Sequence, residues 1–183
     1  MQRANIYIRE QGGGELELKN GIYLINSELT KYFYSWGGCI NLDSNMSLYI
    51  DKSATLKVGN FKTGQSLSFI SLVGAQSGWD GTKNTDAADV KNVKIYGGGT
   101  IDFTSAGDMG NTQSPRAAIS LCRNSNFELS GLTIKGGDLS NAVADMTSKT
   151  YGIKNRVYGC TFEDLVANAT ANTDHSTLYL NAV

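Results

Sequence analysis

The chain has 183 residues, 40% of them hydrophobic, which is enough apolar material for one domain with a buried core and excludes a disordered chain. Sixteen Lys and Arg against seventeen Asp and Glu give a formal charge of -1, so the basic excess of a nucleic-acid surface or of an anionic-membrane surface is missing. Cys39, Cys122 and Cys160 are odd in number and far apart, with no CxxC and a single histidine, His175, which argues against a disulfide framework and a Cys/His zinc site.

Taken in chain order, residues 1–12 come first as the one helix candidate. Ala4, Tyr7 and Ile8 share a face, Gly12-Gly-Gly14 ends the helix, and the expected role is to cap the first layer of strands and cover their edges. Met1 to Glu10 has no uninterrupted apolar core of a signal peptide, and no apolar run in the chain approaches the ~18 residues of a membrane span. Glu15-Leu-Glu-Leu18, a turn at Lys19-Asn-Gly21 and Ile22-Tyr-Leu-Ile25 follow as two strands. Lys31-Tyr-Phe-Tyr-Ser-Trp36 then packs four aromatics into six residues, more than alternation can bury, so some are expected to face a subunit or a ligand.

From there an internal repeat organises the sequence. Leu48-Tyr-Ile through Thr55-Leu56, Val93-Lys-Ile-Tyr through Thr100-Ile101, Phe127-Glu-Leu through Thr133-Ile134, and Asn155-Arg-Val-Tyr through Thr161-Phe162 each read apolar-x-apolar, a bend, then Thr-apolar. The threonines are 45, 33 and 28 residues apart, a spacing that suits stacked coils joined by loops of unequal length. Ile40-x-Leu42, Ile70-x-Leu72 and Ile119-x-Leu121 add an alternating pair upstream of three copies, and Leu178-x-Leu180 opens the next.

Strand side chains alternate faces with period two, so parity converts the repeat into geometry. Ile119, Leu121, Phe127 and Leu129 are odd; after Gly131 the apolar set becomes Leu132 and Ile134. In the fourth copy Val157 precedes Gly159, and Cys160 and Phe162 repeat the switch. A parity switch at glycine with apolar residues still inside is a corner. Asn45, Asn92, Asn126 and Asn155 stand where an asparagine in a left-handed conformation makes the other corner. The composition agrees: 21 Gly and 16 Asn, 37 of 183, with a single Pro, describe a chain that turns often without interrupting strand pairing.

Such units bury an apolar face only by stacking, which predicts an all-β fold, a right-handed single-stranded parallel β-helix with a short N-terminal capping helix. The expected organisation is one domain over 1–183, with the helix at 1–12 and coils over about 15–183, open or truncated at its C-terminal end and so a fragment or a chain capped by another copy or a partner. The alternative is an antiparallel sandwich, which would keep no register between copies.

On the helix followed by Gly12-Gly-Gly14, on Gly97-Gly-Gly-Thr-Ile-Asp102, on Arg116 to Asn124 and on Gly131-Leu-Thr-Ile134, the sequence resembles the pectin-lyase-like superfamily, most closely polygalacturonase-type glycoside hydrolases and phage tailspike or appendage β-helices. The resemblance implies a polysaccharide-binding or polysaccharide-degrading module acting on extracellular glycan, or a non-catalytic structural or receptor-binding piece of a tailspike. It is specific for chemistry at Asn172-Thr-Asp174 alone. In the polygalacturonases this segment supplies one of the carboxylates that protonate the glycosidic oxygen and activate water, which would make Asp174 catalytic with His175 beside it. The sequence departs from the family after the aspartate, where Gly-Ile-Asp is replaced by His175-Ser-Thr-Leu178, and Asn, Thr and Asp are also ordinary turn residues before a strand.

The long insertions Val73 to Val90 and Phe103 to Arg116 are where such a scaffold keeps function. Trp79 would stack on a sugar face, with Asp80 and Asp108 accepting from its hydroxyls; the alternative is that Trp79 folds back onto the coils. Asp102 reads as a corner residue that caps nearby N–H groups, and the cysteines as small core hydrophobes. No Asp cluster of repeated spacing suits a calcium-dependent lyase, so no cofactor or metal is expected. The expected partners are a polysaccharide and two further copies in a homotrimer, with neither nucleic acid nor membrane, and the expected location is extracellular or on a virion surface.

Overall fold

The computed structural model describes residues 2–26, 40–59, 68–72, 90–106, 117–121, 124–137, 141–145, 154–165 and 177–180. Helix α1, Gln2–Glu10, ends where Gly12 and Gly13 donate to the Arg9 and Ile8 carbonyls. Its inner face is Ile8, packed on the core, and Asn5, whose Nδ2 donates to the Asn41 carbonyl at 2.6 Å. Ala4 and Tyr7, expected on that face with Ile8, are exposed instead. A 3.6-residue period puts Asn5 one turn below Ile8, and its hydrogen bond with the Asn41 carbonyl orients the helix that way.

The described strands form five coils. The first has β1 (Gly14–Leu18), β2 (Gly21–Asn26) and β3 (Ile40–Leu42); the second has β4 (Met46–Ile50), β5 (Ala54–Gly59) and β6 (Ser68–Leu72). The third has β7 (Val90–Lys91), β8 (Lys94–Gly97), β9 (Thr100–Ser105) and β10 (Ala117–Leu121). The fourth has β11 (Asn124–Ser125), β12 (Glu128–Ser130), β13 (Thr133–Lys135) and β14 (Asn141–Asp145), and the fifth β15 (Arg156–Tyr158), β16 (Thr161–Glu163) and β17 (Leu178–Leu180). Equivalent strands stack in order as three five-stranded sheets, β1-β4-β8-β12-β15, β2-β5-β9-β13-β16 and β3-β6-β10-β14-β17, while β7 pairs β11. Every described strand pair is parallel, so the fold is the right-handed parallel β-helix and not the sandwich.

Register confirms the repeat. Thr55, Thr100, Thr133 and Thr161 are direct partners up the second sheet. One residue on, Leu56, Ile101 and Ile134 point inward and are fully buried, with Phe162 half-buried above them. The first sheet supplies Leu48, Ile95 and Leu129 in register, and the third Ile40, Ile70, Ile119 and Val143, to one continuous core. Burying each such side chain contributes roughly 1.5–3 kcal/mol. β14 is a strand the repeat pattern did not announce, because Val143 is the one large aliphatic residue in its five positions.

The two corners behave as the parity argument required, with one exception. Asn45, Asn92 and Asn126 have φ of 62°, 60° and 57°. Their amides form a ladder: Asn126 Nδ2 donates to Asn92 Oδ1 at 2.8 Å, Asn92 Nδ2 to Asn45 Oδ1 at 2.9 Å, and Asn45 Nδ2 to the Gly12 carbonyl at 3.5 Å. In the fifth coil the left-handed residue is Lys154, φ 64°, and not Asn155. The pairing Glu128↔Arg156 sets Lys154 over Asn126 and Asn155 over the buried Phe127, where Asn155 Oδ1 accepts from the Phe127 N–H at 3.0 Å. The expectation slipped by one residue because an Asn stands at the core position of that coil. At the other corner a Cβ on Gly97 would stand 2.0 Å from the Ile50 carbonyl oxygen, and one on Gly131 2.3 Å from that of Gly97. In the second coil, without a glycine, Asp51 Oδ1 makes the turn by accepting from the Ser53 N–H at 2.8 Å.

Candidate functional site

Two outward rows run up the first sheet. One is Glu15, Ser47, Lys94, Glu128 and Arg156; the other, next to the glycine corner, is Glu17, Tyr49, Tyr96, Ser130 and Tyr158. Parallel register repeats each position every ~4.8 Å, so side chains of different coils reach one another. The Tyr49 and Tyr96 ring centroids are 5.1 Å apart and tilted by 59°. Lys94 Nζ lies 4.2 Å from the Tyr96 centroid and 3.1 Å from Glu128 Oε1. Glu128 Oε1 also accepts from the Tyr158 hydroxyl at 2.9 Å and from Ser130 Oγ at 3.1 Å, and the Tyr96 hydroxyl donates to Glu15 Oε2 at 2.6 Å, two coils below. One network therefore ties all five coils together along this face.

The ionisation of these groups follows from their partners. Glu15, accepting from Tyr96, holds that phenol in its neutral form and pushes its pKa up to about 12, with partial desolvation adding to the effect. Tyr49 is raised by partial desolvation and by Asp51, to which its hydroxyl donates at 3.4 Å. Glu128 loses some hydration, which raises it, but the hydrogen bonds from Tyr158, Lys94 and Ser130 prevail and hold the carboxyl below its ordinary range. Glu128 is thus held as a carboxylate, and Tyr49 and Tyr96 as neutral phenols, at ordinary pH.

The second sheet is different outside. Above the threonine row stand Leu24, Lys57, Asp102, Lys135 and Glu163 in register, opposite charges alternating from coil to coil. Asp102 is 8% exposed, and its Oδ1 accepts from the Thr104 N–H at 2.8 Å and from Thr104 Oγ1 at 2.6 Å, which is the capping role read from the sequence. Burial raises this carboxyl, but the Thr104 hydrogen bonds, Lys135 and Lys57 outweigh it and hold it low. Ile22, 73% exposed, and Leu24 form the apolar outer side of the first coil.

Trp79, Asp80, Asp108, Asp174 and His175 lie outside the described residues. In sequence they fall between described strands: 107–116 between β9 and β10, 166–176 between β16 and β17, and 73–89 between β6 and β7. The tyrosine row was not among the sequence candidates. Its signal was present, a tyrosine at or just before the corner at Tyr49, Tyr96 and Tyr158 in three of four copies. Among the described residues no group of His, Cys, Asp and Glu could hold a metal ion, and no helix is long and apolar enough to cross a membrane.

No protein-family profile matches the chain, and no curated protein matches it. Solved structures do. The tailspike protein of E. coli bacteriophage HK620 in complex with pentasaccharide matches over 99% of this chain and 28% of its own, at 24% identity and a TM-score of 0.75. A point mutant of the same tailspike in complex with pentasaccharide gives 25% identity over 99% of this chain and 28% of its own, with a TM-score of 0.76. A further mutant in complex with hexasaccharide gives 25% over 99% and 29%, with a TM-score of 0.73. The chain spans less than a third of the tailspike it resembles, and over that length it is a right-handed parallel β-helix with the tailspike's fold.

Proposed function

We propose that this chain is a polysaccharide-binding β-helix of the tailspike kind, working on a virion surface against extracellular glycan. The observation that carries the reading is the fold likeness along 99% of the chain to a tailspike solved with bound pentasaccharide. The outer face of the first sheet supports it, since aromatic rings beside held carboxylates are what sugar faces and hydroxyls require. Self-association as a homotrimer, and sugar contacts from Trp79, Asp80 and Asp108, belong to the same reading.

Glycoside hydrolysis is a further part of the proposal, with Asp174 as acid or base and His175 next to it in sequence. A reducing-end assay on a panel of neutral and acidic polysaccharides tests it, with light scattering on the same sample. The expected result is glycan binding, with any cleavage reduced ~10²–10⁴-fold in Asp174→Asn at an unchanged thermal midpoint. Cleavage equal to the wild type would remove Asp174 from the mechanism. Binding without cleavage would leave a receptor-binding scaffold, and neither binding nor cleavage would end the polysaccharide reading.

A further inference from the structure

We propose that the outer face of the first sheet is itself a glycan subsite, running along the helix axis from Glu15 to Tyr158, and that it takes an uncharged, hydroxyl-rich glycan and not a polyuronide. This deepens the polysaccharide reading and rests on it.

Three observations point to that occupant. First, the two outward rows hold no aliphatic side chain in five coils, whereas the neighbouring sheet exposes Ile22 and Leu24. A face between copies of this chain needs an apolar centre, and a sugar needs rings set among polar groups. Second, the polar groups are fixed but not exhausted. Among the described residues, the three partners of Glu128 converge on Oε1, and the partner of Glu15 is on Oε2. Glu128 Oε2, Glu15 Oε1 and the exposed Arg156 guanidinium have no hydrogen-bond partner among the described residues. Acceptors held in place on one oxygen and open on the other meet sugar hydroxyls at little entropic cost, and Arg156 adds an exposed donor beside them. Third, the positions repeat every ~4.8 Å, near the length of one pyranose unit, so an extended chain meets an equivalent position at every coil. The charge decides the class: Glu128 is paired with Lys94 and Glu17 with Lys19 at 3.3 Å, which leaves Glu15 against Arg156, so the face has no positive excess with which to draw a polyanion.

The test is binding of the 183-residue chain to immobilised neutral bacterial polysaccharides, chito-oligosaccharides and polygalacturonate, with Tyr158→Ala, Tyr158→Phe and Arg156→Ala beside the wild type. Both positions are exposed, and thermal midpoints and light scattering show that the variants stay folded with unchanged mass. The expected result is binding to a neutral glycan, weakened about tenfold by Tyr158→Ala and by Arg156→Ala and retained by Tyr158→Phe, which keeps the ring. Neutral-glycan binding unchanged in every variant would overturn this subsite and leave the polysaccharide reading in place. Binding confined to polygalacturonate would overturn the stated class, and variants that change the oligomeric mass would show a self-association face instead. A wild type that binds nothing on the panel would bring down the polysaccharide reading itself.

Discussion

The two kinds of corner turn the chain with the same left-handed backbone, but they hold neighbouring coils together in different ways. At the asparagine corner the side chain works: Asn45, Asn92 and Asn126 hand one amide hydrogen bond down each coil to Gly12, on the exposed surface. At the glycine corner the absence of a side chain works: the Ile50 carbonyl occupies the space a Cβ on Gly97 would need, and the Gly97 carbonyl does the same under Gly131. One corner adds an interaction that substitution removes. The other depends on a backbone approach that any substitution blocks, and this difference sets the size of the effects that follow.

Gly97→Ala should have the largest. Its φ of 131° is costly for an alanine, and the clash lies with backbone, which moves only if two coils separate. We expect a loss of about 3 kcal/mol in denaturant unfolding, and a loss below about 1 kcal/mol would show that the corner relaxes freely. Asn92→Ala should cost less, about 1–2 kcal/mol, for two exposed amide hydrogen bonds and a left-handed alanine. Asn92→Gly keeps the backbone content and loses only the ladder, so equal losses in the two variants would show that the ladder alone matters. Lys154→Asn tests the same corner in the opposite direction. It sets an amide above Asn126, whose Oδ1 accepts from no described residue, and should raise stability by about 0.5–1 kcal/mol. No gain would mean that extending the ladder to the fifth coil adds nothing to stability.

The smallest effect is a titration beside the glycine corner. Tyr96 has a folded pKa pushed up to about 12, above the ordinary phenol value, so its contribution is fully present below pH ~10 and is lost as pH rises through about 12. Spectrophotometric titration of tyrosinate should show a late phenol that ionises at about pH 12. In Glu15→Gln that phenol should return toward the ordinary range, and a curve unchanged by Glu15→Gln would break the link between the first and third coils.

Much of this was legible before the fold was seen. Thr55, Thr100, Thr133 and Thr161 sit in register because each is the first outward residue after a corner, and a pattern of period two with a parity switch at Gly131 and Gly159 has no other simple geometry. What failed did so for local reasons. Asn155 reads as a corner residue in sequence because the letter is the same at a corner and at the inward position beside it, and the register puts Lys154 at the corner. Ala4 and Tyr7 were turned to the wrong side of the helix because a nine-residue helix offers several plausible faces and a hydrogen bond to Asn41 chose among them. For the candidate site, the sequence offered Trp79, Asp80, Asp108, Asp174 and His175 on insertions, while the described face with a connected network was a row of tyrosines inside the repeat.

The sequence by itself determined the unit and its stacking, since side-chain parity, left-handed Asn and Gly, and a recurring inward aliphatic leave a parallel coil as the way to bury the core. Only the tertiary structure decided which outward residues meet. Glu15 and Tyr96 are 81 positions apart, and Tyr158 is 30 from Glu128. Their pairing depends on how many residues each loop inserts between coils, and a stack of coils tolerates any loop length that returns the chain to register.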